Sequence, residues 1–398
     1  MSNTQVHNDA SSPDRHIDPA ARQSLAARHG FTLVEILVVI VIIGILAGIA
    51  IPAVTNVIAT GRETALKVEI TQLADSVEQY NLKYGDYPPD MSSWTIAQRH
   101  LKKAFPRMSQ RDLTLLYNMC HDGNGRFNPA AVDRSEALVL FLGGFSDDAA
   151  YPLTGAGGPF ECRLAKNNAA YTTTTNVADF QYNVSRNDAL FEFDVARLTV
   201  NAAAAETGGQ VNSTDDGDLI PAYQMDGRAA PFVYFESRTY GGIPDAVSTL
   251  VAGANPYNGY YNPDFGGVRP YKTNVPVSPT GSGWGTEPDA SLKSWKFAND
   301  KSFQIIAAGT DDTFGTLIRM PMTAAQNTVA ASDLPAYFIE KTGKAMTINS
   351  NATSPQQTLI TGMDGFQEDG AVNGSEGNAH LDNITNFSSR TLESDLET

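Results

Sequence analysis

A single acid stands at the head of the most apolar stretch of this chain. Glu35 follows Phe31-Thr32-Leu33-Val34 and directly precedes Ile36–Gly61, 26 residues without a charge. A carboxylate in such a setting costs about 2.5–3.5 kcal/mol on membrane-insertion scales and is rarely left unpaired. Cysteine offers a second chemistry. Cys120 and Cys162 could close a loop of about 40 residues, worth about 4 kcal/mol in the chain-entropy account, or stand as two separate buried thiols. Asp122-Gly123-Asn124-Gly125 begins like a calcium-binding helix-loop-helix, but Phe127 stands where that loop needs glycine, so a turn is expected. Catalysis has little footing. His100, His121 and His380 are the histidines beyond residue 30, and none lies in an HExxH, CxxC or GxSxG context. Gly155–Pro159 lacks the lysine and spacing of a phosphate loop.

The elements that must position these residues are legible in the apolar pattern. As a helix, the uncharged run is ~39 Å long, enough to cross a hydrocarbon core of about 30 Å. Ile36–Ala50 lacks the polar stripe of an ordinary core helix. Arg15, Arg22 and Arg28 before the run, against Arg62 and Lys67 after it, favour a cytoplasmic leader. Beyond Gly61 the pattern turns amphipathic. Leu66, Ile70, Leu73, Val77, Tyr80 and Tyr84 follow alternating spacings of four and three, which predicts a helical stripe, or in a competing reading a short coiled coil. Gly85 then caps, and Pro88 and Pro89 prevent continuation. Residues 31–84 thus read as one helix, bent near Pro52.

Composition narrows the classes. The 398 residues carry 28 Lys+Arg against 44 Asp+Glu, a net charge of −16, and so lack the cationic footprint of a nucleic-acid binder. Two cysteines cannot make a disulfide framework or a four-cysteine zinc site. With 42% apolar residues the chain can bury a core. In residues 87–398, strands are expected at Leu190–Val195, Phe232–Glu236 and Phe303–Ala308, and short helices at Arg111–Asn118 and Ser135–Leu142. Asn201–Gly217 and Asn255–Tyr271 read as loops.

Arg28-His29-Gly30-Phe31-Thr32-Leu33-Val34-Glu35, opening an uncharged 26-mer, resembles the processing signal of type IV pilins and of the major (G-type) pseudopilins of type II secretion. The resemblance implies cleavage by prepilin peptidase between Gly30 and Phe31, N-methylation of Phe31, and pairing of Glu35 with the new amino group of a neighbouring subunit in a helical filament. Tyr80–Pro88 is similar to the Tyr-rich helix end of that family. Asp226–Tyr234 resembles its D-x-x-G-x-P-Y-x-Y segment, with Ala229 in place of the usual glycine. Phe303–Asp311 resembles its last strand and following loop, and Gly362–Gly365 and Asp382–Phe387 its acidic C-terminal loop.

The resemblance implies an α+β fold in which a long N-terminal helix, transmembrane in its first half, carries a small antiparallel β-sheet head with large loop-rich insertions. Its parts would be a leader at 1–30, an assembly half at 31–60, an amphipathic half at 61–86 and a periplasmic head at 87–398, with insertions near 90–220, 238–300 and 316–360. It also implies calcium in the C-terminal loop, with Asp311, Asp312, Asp364 and Asp382 as ligands. Those acids alone would read equally as a solvated acidic loop. The implied protein is structural rather than enzymatic. It would be anchored in the bacterial inner membrane with its N-terminus cytoplasmic. Its partners would be further copies of itself, the peptidase, a secretion platform protein and minor pseudopilins, with no nucleic acid. A minor pilin of a surface pilus or uptake system, and a membrane-anchored periplasmic binding protein or enzyme using the same signal, are the competing readings.

Overall fold

The computed structural model describes residues 32–201, 203, 207, 209–242, 244–252, 259–277, 292–315, 335–349, 352–361, 365–366 and 380–396. Two units compose the chain, residues 1–57 and 58–398. The first helix, α1 (Leu33–Tyr84), contributes to both. In the first unit its described side chains are all exposed, Leu33 to 80% and Ile49 to 69%. The segment Leu33–Ile51 is long and apolar enough to cross a membrane, and none of it is buried within the protein.

In the second unit α1 behaves differently because its sequence does. Leu66, Ile70, Leu73, Val77 and Tyr80 are buried, at most 6% exposed, and Tyr84 packs half-buried beside them. The expected stripe is therefore the spine of the core. Polar residues flanking it are paired rather than free. Glu69 holds the Arg197 guanidinium at 2.6 and 2.8 Å and accepts from the Tyr223 hydroxyl at 3.0 Å. Lys67 Nζ donates to the Thr385 carbonyl at 2.8 Å. The helix ends at Gly85, whose φ of +72° is the left-handed cap that glycine adopts without strain.

Three short helices follow: α2 (Trp94–Ala104), α3 (Gln110–Cys120) and α4 (Ala137–Leu142). Ser93 and Ser109 cap the first two by accepting from Ile96 N and Asp112 N, satisfying otherwise orphaned amides. Every residue of α4 is buried. The strands are β1 (Phe160–Cys162), β2 (Phe180–Tyr182), β3 (Phe232–Glu236), β4 (Tyr260–Asn262), β5 (Gly266–Val268), β6 (Lys272–Pro276), β7 (Trp295–Phe297), β8 (Phe303–Ala307), β9 (Ala336–Phe338), β10 (Ala345–Thr347) and β11 (Ile384–Thr385). All pairings between them are antiparallel. The principal sheet has the order β11-β8-β3, with Tyr234 opposite Ile305 and Ile384 opposite Ala307. Both β3 and β8 are buried throughout, which accounts for their mostly apolar sequences, broken by Gln304 in β8 and Glu236 at the end of β3. The other pairs, β1·β2, β4·β5, β6·β7 and β9·β10, are two-stranded.

The expected strands at Phe232–Glu236 and Phe303–Ala308 are present as β3 and β8, and the expected short helices as α3 and α4. The expected strand at Leu190–Val195 is not. There Leu190 N and Phe191 N both donate to the Leu142 carbonyl, and Phe191 and Phe193 pack against the Tyr223 ring. The alternating aromatics are thus drawn to a helix end and a ring cluster instead of a ladder. Helix α2 and the β1·β2 and β4·β5 pairs lie in stretches not expected to be regular. Asp122 forms the expected turn, its carboxylate accepting from Asn124 N and Arg126 N at 2.9 and 2.8 Å.

Candidate functional site

Gly30 and Phe31, the expected cleavage residues, lie outside the described residues, as does Asp364. Glu35 is described, and its neighbour Thr32 explains its local geometry. Glu35 Oε2 accepts from Thr32 N at 2.7 Å and from Thr32 Oγ1 at 2.8 Å, while Glu35 N donates to Thr32 Oγ1 at 3.2 Å. This reciprocal arrangement is a capping box. It satisfies amides at the open end of α1 and holds the carboxylate in one orientation at the head of the exposed apolar surface. The Thr32-x-x-Glu35 spacing announces it in the sequence.

In the C-terminal half, the acids separate into two roles. Asp382, half-buried, accepts through Oδ2 from Thr310 N, from Thr310 Oγ1 at 3.0 Å and from Asp311 N at 3.0 Å. Its Oδ1 is buried without a hydrogen-bond partner. Burial, reinforced by the charge of Asp311, pushes the Asp382 carboxyl above its ordinary range. The loop closes tightly here: a Cβ on Gly309 would lie 2.2 Å from Asp382 Cγ. Asp311 and Asp382 are thus brought together. Asp312 is not placed with them as expected. Its two oxygens accept from Ala230 N and Ala229 N, each at 3.0 Å, so it braces the turn leading into β3. An orphaned carboxylate oxygen beside a second carboxylate is chemistry suited to a hard cation, but Asp311, Asp312 and Asp382 do not form a three-carboxylate cluster among the described residues.

Cys120 and Cys162 are free thiols, the first buried and the second half-buried. Of the two readings left open by sequence, the bridge is absent. Cys120 ends α3 inside the core, where burial drives its thiol pKa well up, and Cys162 Sγ lies 3.9 Å from the Tyr171 carbonyl. His100, a residue the sequence gave no reason to select, is almost wholly buried and hydrogen-bonds the Tyr80 hydroxyl at 2.8 Å. Burial, together with the Arg238 and Lys103 charges and against the pull of Asp86, lowers its pKa from 6.5 to about 4.

Residues 25–51 match the family model described as the prokaryotic N-terminal methylation motif. A fimbrial protein of Pseudomonas aeruginosa is 24% identical over 155 residues, 37% of this chain and 92% of that protein. The type II secretion system core protein G of P. aeruginosa strain PAO1 is 41% identical over 59 residues, 15% of this chain and 42% of that protein. The type IV major pilin protein PilE of Neisseria gonorrhoeae is 35% identical over 68 residues, 17% of this chain and 41% of that protein. No solved structure matches. The methylation motif thus stands at the head of an exposed, membrane-length helix, and the chain is similar over part of its length to fimbrial and type IV pilin proteins and to a type II secretion core protein G.

Proposed function

We propose that this protein is a structural subunit of a type II secretion pseudopilus. Prepilin peptidase cuts it after Gly30 and methylates Phe31, and copies then assemble into a periplasmic filament together with a platform protein and minor pseudopilins. The observation that carries this reading is the surface of α1 in the first unit. Large apolar side chains from Leu33 to Val57 are exposed, a cost in water of roughly 25 cal/mol per Å². A bilayer removes that cost for one copy, and the same surface packed against other copies removes it in a filament.

Glu35 fits the reading. The described hydrogen bonds to its carboxylate fall on Oε2, so Oε1 can face the methylated amine of the next subunit. A second reading, a pilin of a surface pilus, is favoured by the fimbrial relative, of which this chain covers 92%. Under either reading, much of residues 87–398 elaborates a small head. Calcium at Asp382 and Asp311 would tie the C-terminal loop to the loop after β8, through the orphaned Asp382 Oδ1.

Site-directed cross-linking tests the proposal. With Cys162→Ser removing the half-buried thiol, single cysteines placed in turn at Ile40 and Ile45, both exposed on α1, should give a disulfide-linked dimer for at least one of the two positions in membranes of the assembling host. Monomer alone at every position would contradict assembly through this surface.

A further inference from the structure

Five carboxylates, those of Asp133, Glu136, Asp215, Asp216 and Asp218, gather where α4 meets the loop 213–220. Burial, reinforced by the charges of neighbouring carboxylates, raises Glu136 and Asp218 well above their ordinary range. No Lys or Arg forms an ion pair with Glu136, Asp216 or Asp218 among the described residues. Ligating oxygens of Glu136, Asp216 and Asp218 all lie within 4.8 Å of one another. That spread matches donors around one ion at about 2.3–2.6 Å.

The second observation is Glu136 itself. It is 1% exposed, and its Oε1 has no hydrogen-bond partner. Its other oxygen is fixed, because Asp133 N donates to Oε2 at 2.8 Å. Asp218 repeats the arrangement. Ile220 N holds Oδ1 at 2.6 Å, and Oδ2 is buried without a partner. Two carboxylates each anchored through one oxygen, with the other oxygen unsatisfied, are ligands oriented before any ion arrives. Leaving such groups buried and unmet is unfavourable, and a bound cation removes that penalty.

We propose that Glu136, Asp216 and Asp218 form a divalent-cation site of the calcium type. The all-oxygen donor set and the loop setting suit Ca²⁺ rather than Zn²⁺, which is held mainly by nitrogen and sulfur, or Mg²⁺, which keeps several waters and demands octahedral geometry. Its effect is structural: the ion pins the 213–220 loop to α4, whose side chains are all buried. The site is separate in sequence from Asp311 and Asp382 and does not depend on the filament reading.

The test is calcium titration of the full-length protein in detergent, followed by thermal unfolding and by terbium luminescence. Four chains are compared: the parent, Glu136→Gln/Asp218→Asn, Asp216→Asn and Asp382→Asn. Calcium should raise the parent's Tm and that of Asp382→Asn. It should raise the double variant's Tm less than the parent's, any remaining increment coming from Asp382, while the metal-free double variant unfolds no earlier than the metal-free parent, since repulsion has been removed. Asp216 is exposed, so Asp216→Asn retains the fold and should weaken calcium and terbium binding at least about tenfold. Equal calcium affinity in the parent and Asp216→Asn, or an equal Tm increment in the parent and the double variant, would overturn the proposal.

Discussion

Thr32 and Glu35 carry the finest detail of this account. The capping box already satisfies part of the Glu35 carboxylate within its own helix, so a partner on another subunit adds to that arrangement without having to create it. Thr32→Ala should loosen the first turn by about 1 kcal/mol, visible as faster amide exchange there. Glu35→Gln should leave processing intact and reduce assembled filament about ten- to a hundredfold, because a charge-assisted bond is worth about 1.5–3 kcal/mol. Sheared-filament yield measures this, and parental yield in Glu35→Gln would remove the pairing role. His100 makes a different prediction. In the unfolded chain it takes a proton near pH 6.5, in the folded protein at about 4. Its stabilising contribution is therefore complete above pH 6.5 and is lost as pH falls towards 4, by up to roughly 3 kcal/mol. Urea unfolding across that window should show the parent losing more stability than His100→Gln; parallel curves would contradict the assignment.

At the scale of elements, the apolar stripe on α1 and the pair β3·β8 hold the second unit together. Leu73 is fully buried on that stripe, and Leu73→Ala should cost about 2–5 kcal/mol in urea unfolding. A loss under 1 kcal/mol would mean that the stripe does not form the core. Gly309→Ala should destabilise by about 1–3 kcal/mol, since the added methyl meets Asp382 at 2.2 Å. The stripe, β3 and β8 were legible because each repeats one burial pattern over several residues: spacings of three and four along α1, mostly apolar runs in strands buried throughout. The misread segment at Leu190–Val195 carries a strand-like aromatic alternation, but its amides are claimed by Leu142, a partner some fifty residues away that no local pattern announces. For the same reason, the convergence of Glu136 with Asp216 and Asp218 was invisible, whereas the motif around Gly30 and Glu35 is local and could be read directly.

The molecule as a whole combines two solvents' worth of surface in one chain. The described residues of the second unit bury an aromatic-rich core. The described part of the first unit, residues 32–57, presents apolar surface whose one charged side chain is Glu35. Among the described residues one helix, Leu33–Ile51, is long and apolar enough to cross a membrane, which with the prepilin motif points to a membrane anchor. The proposed processing after Gly30 would convert an anchored precursor into a subunit with a free amine four residues from Glu35. Intact-mass and N-terminal peptide analysis of the protein isolated from its host membranes tests this most directly. The mature chain should begin at N-methylated Phe31 in a host with an active prepilin peptidase. A mature chain that keeps residues 1–30, or that begins elsewhere, would contradict it.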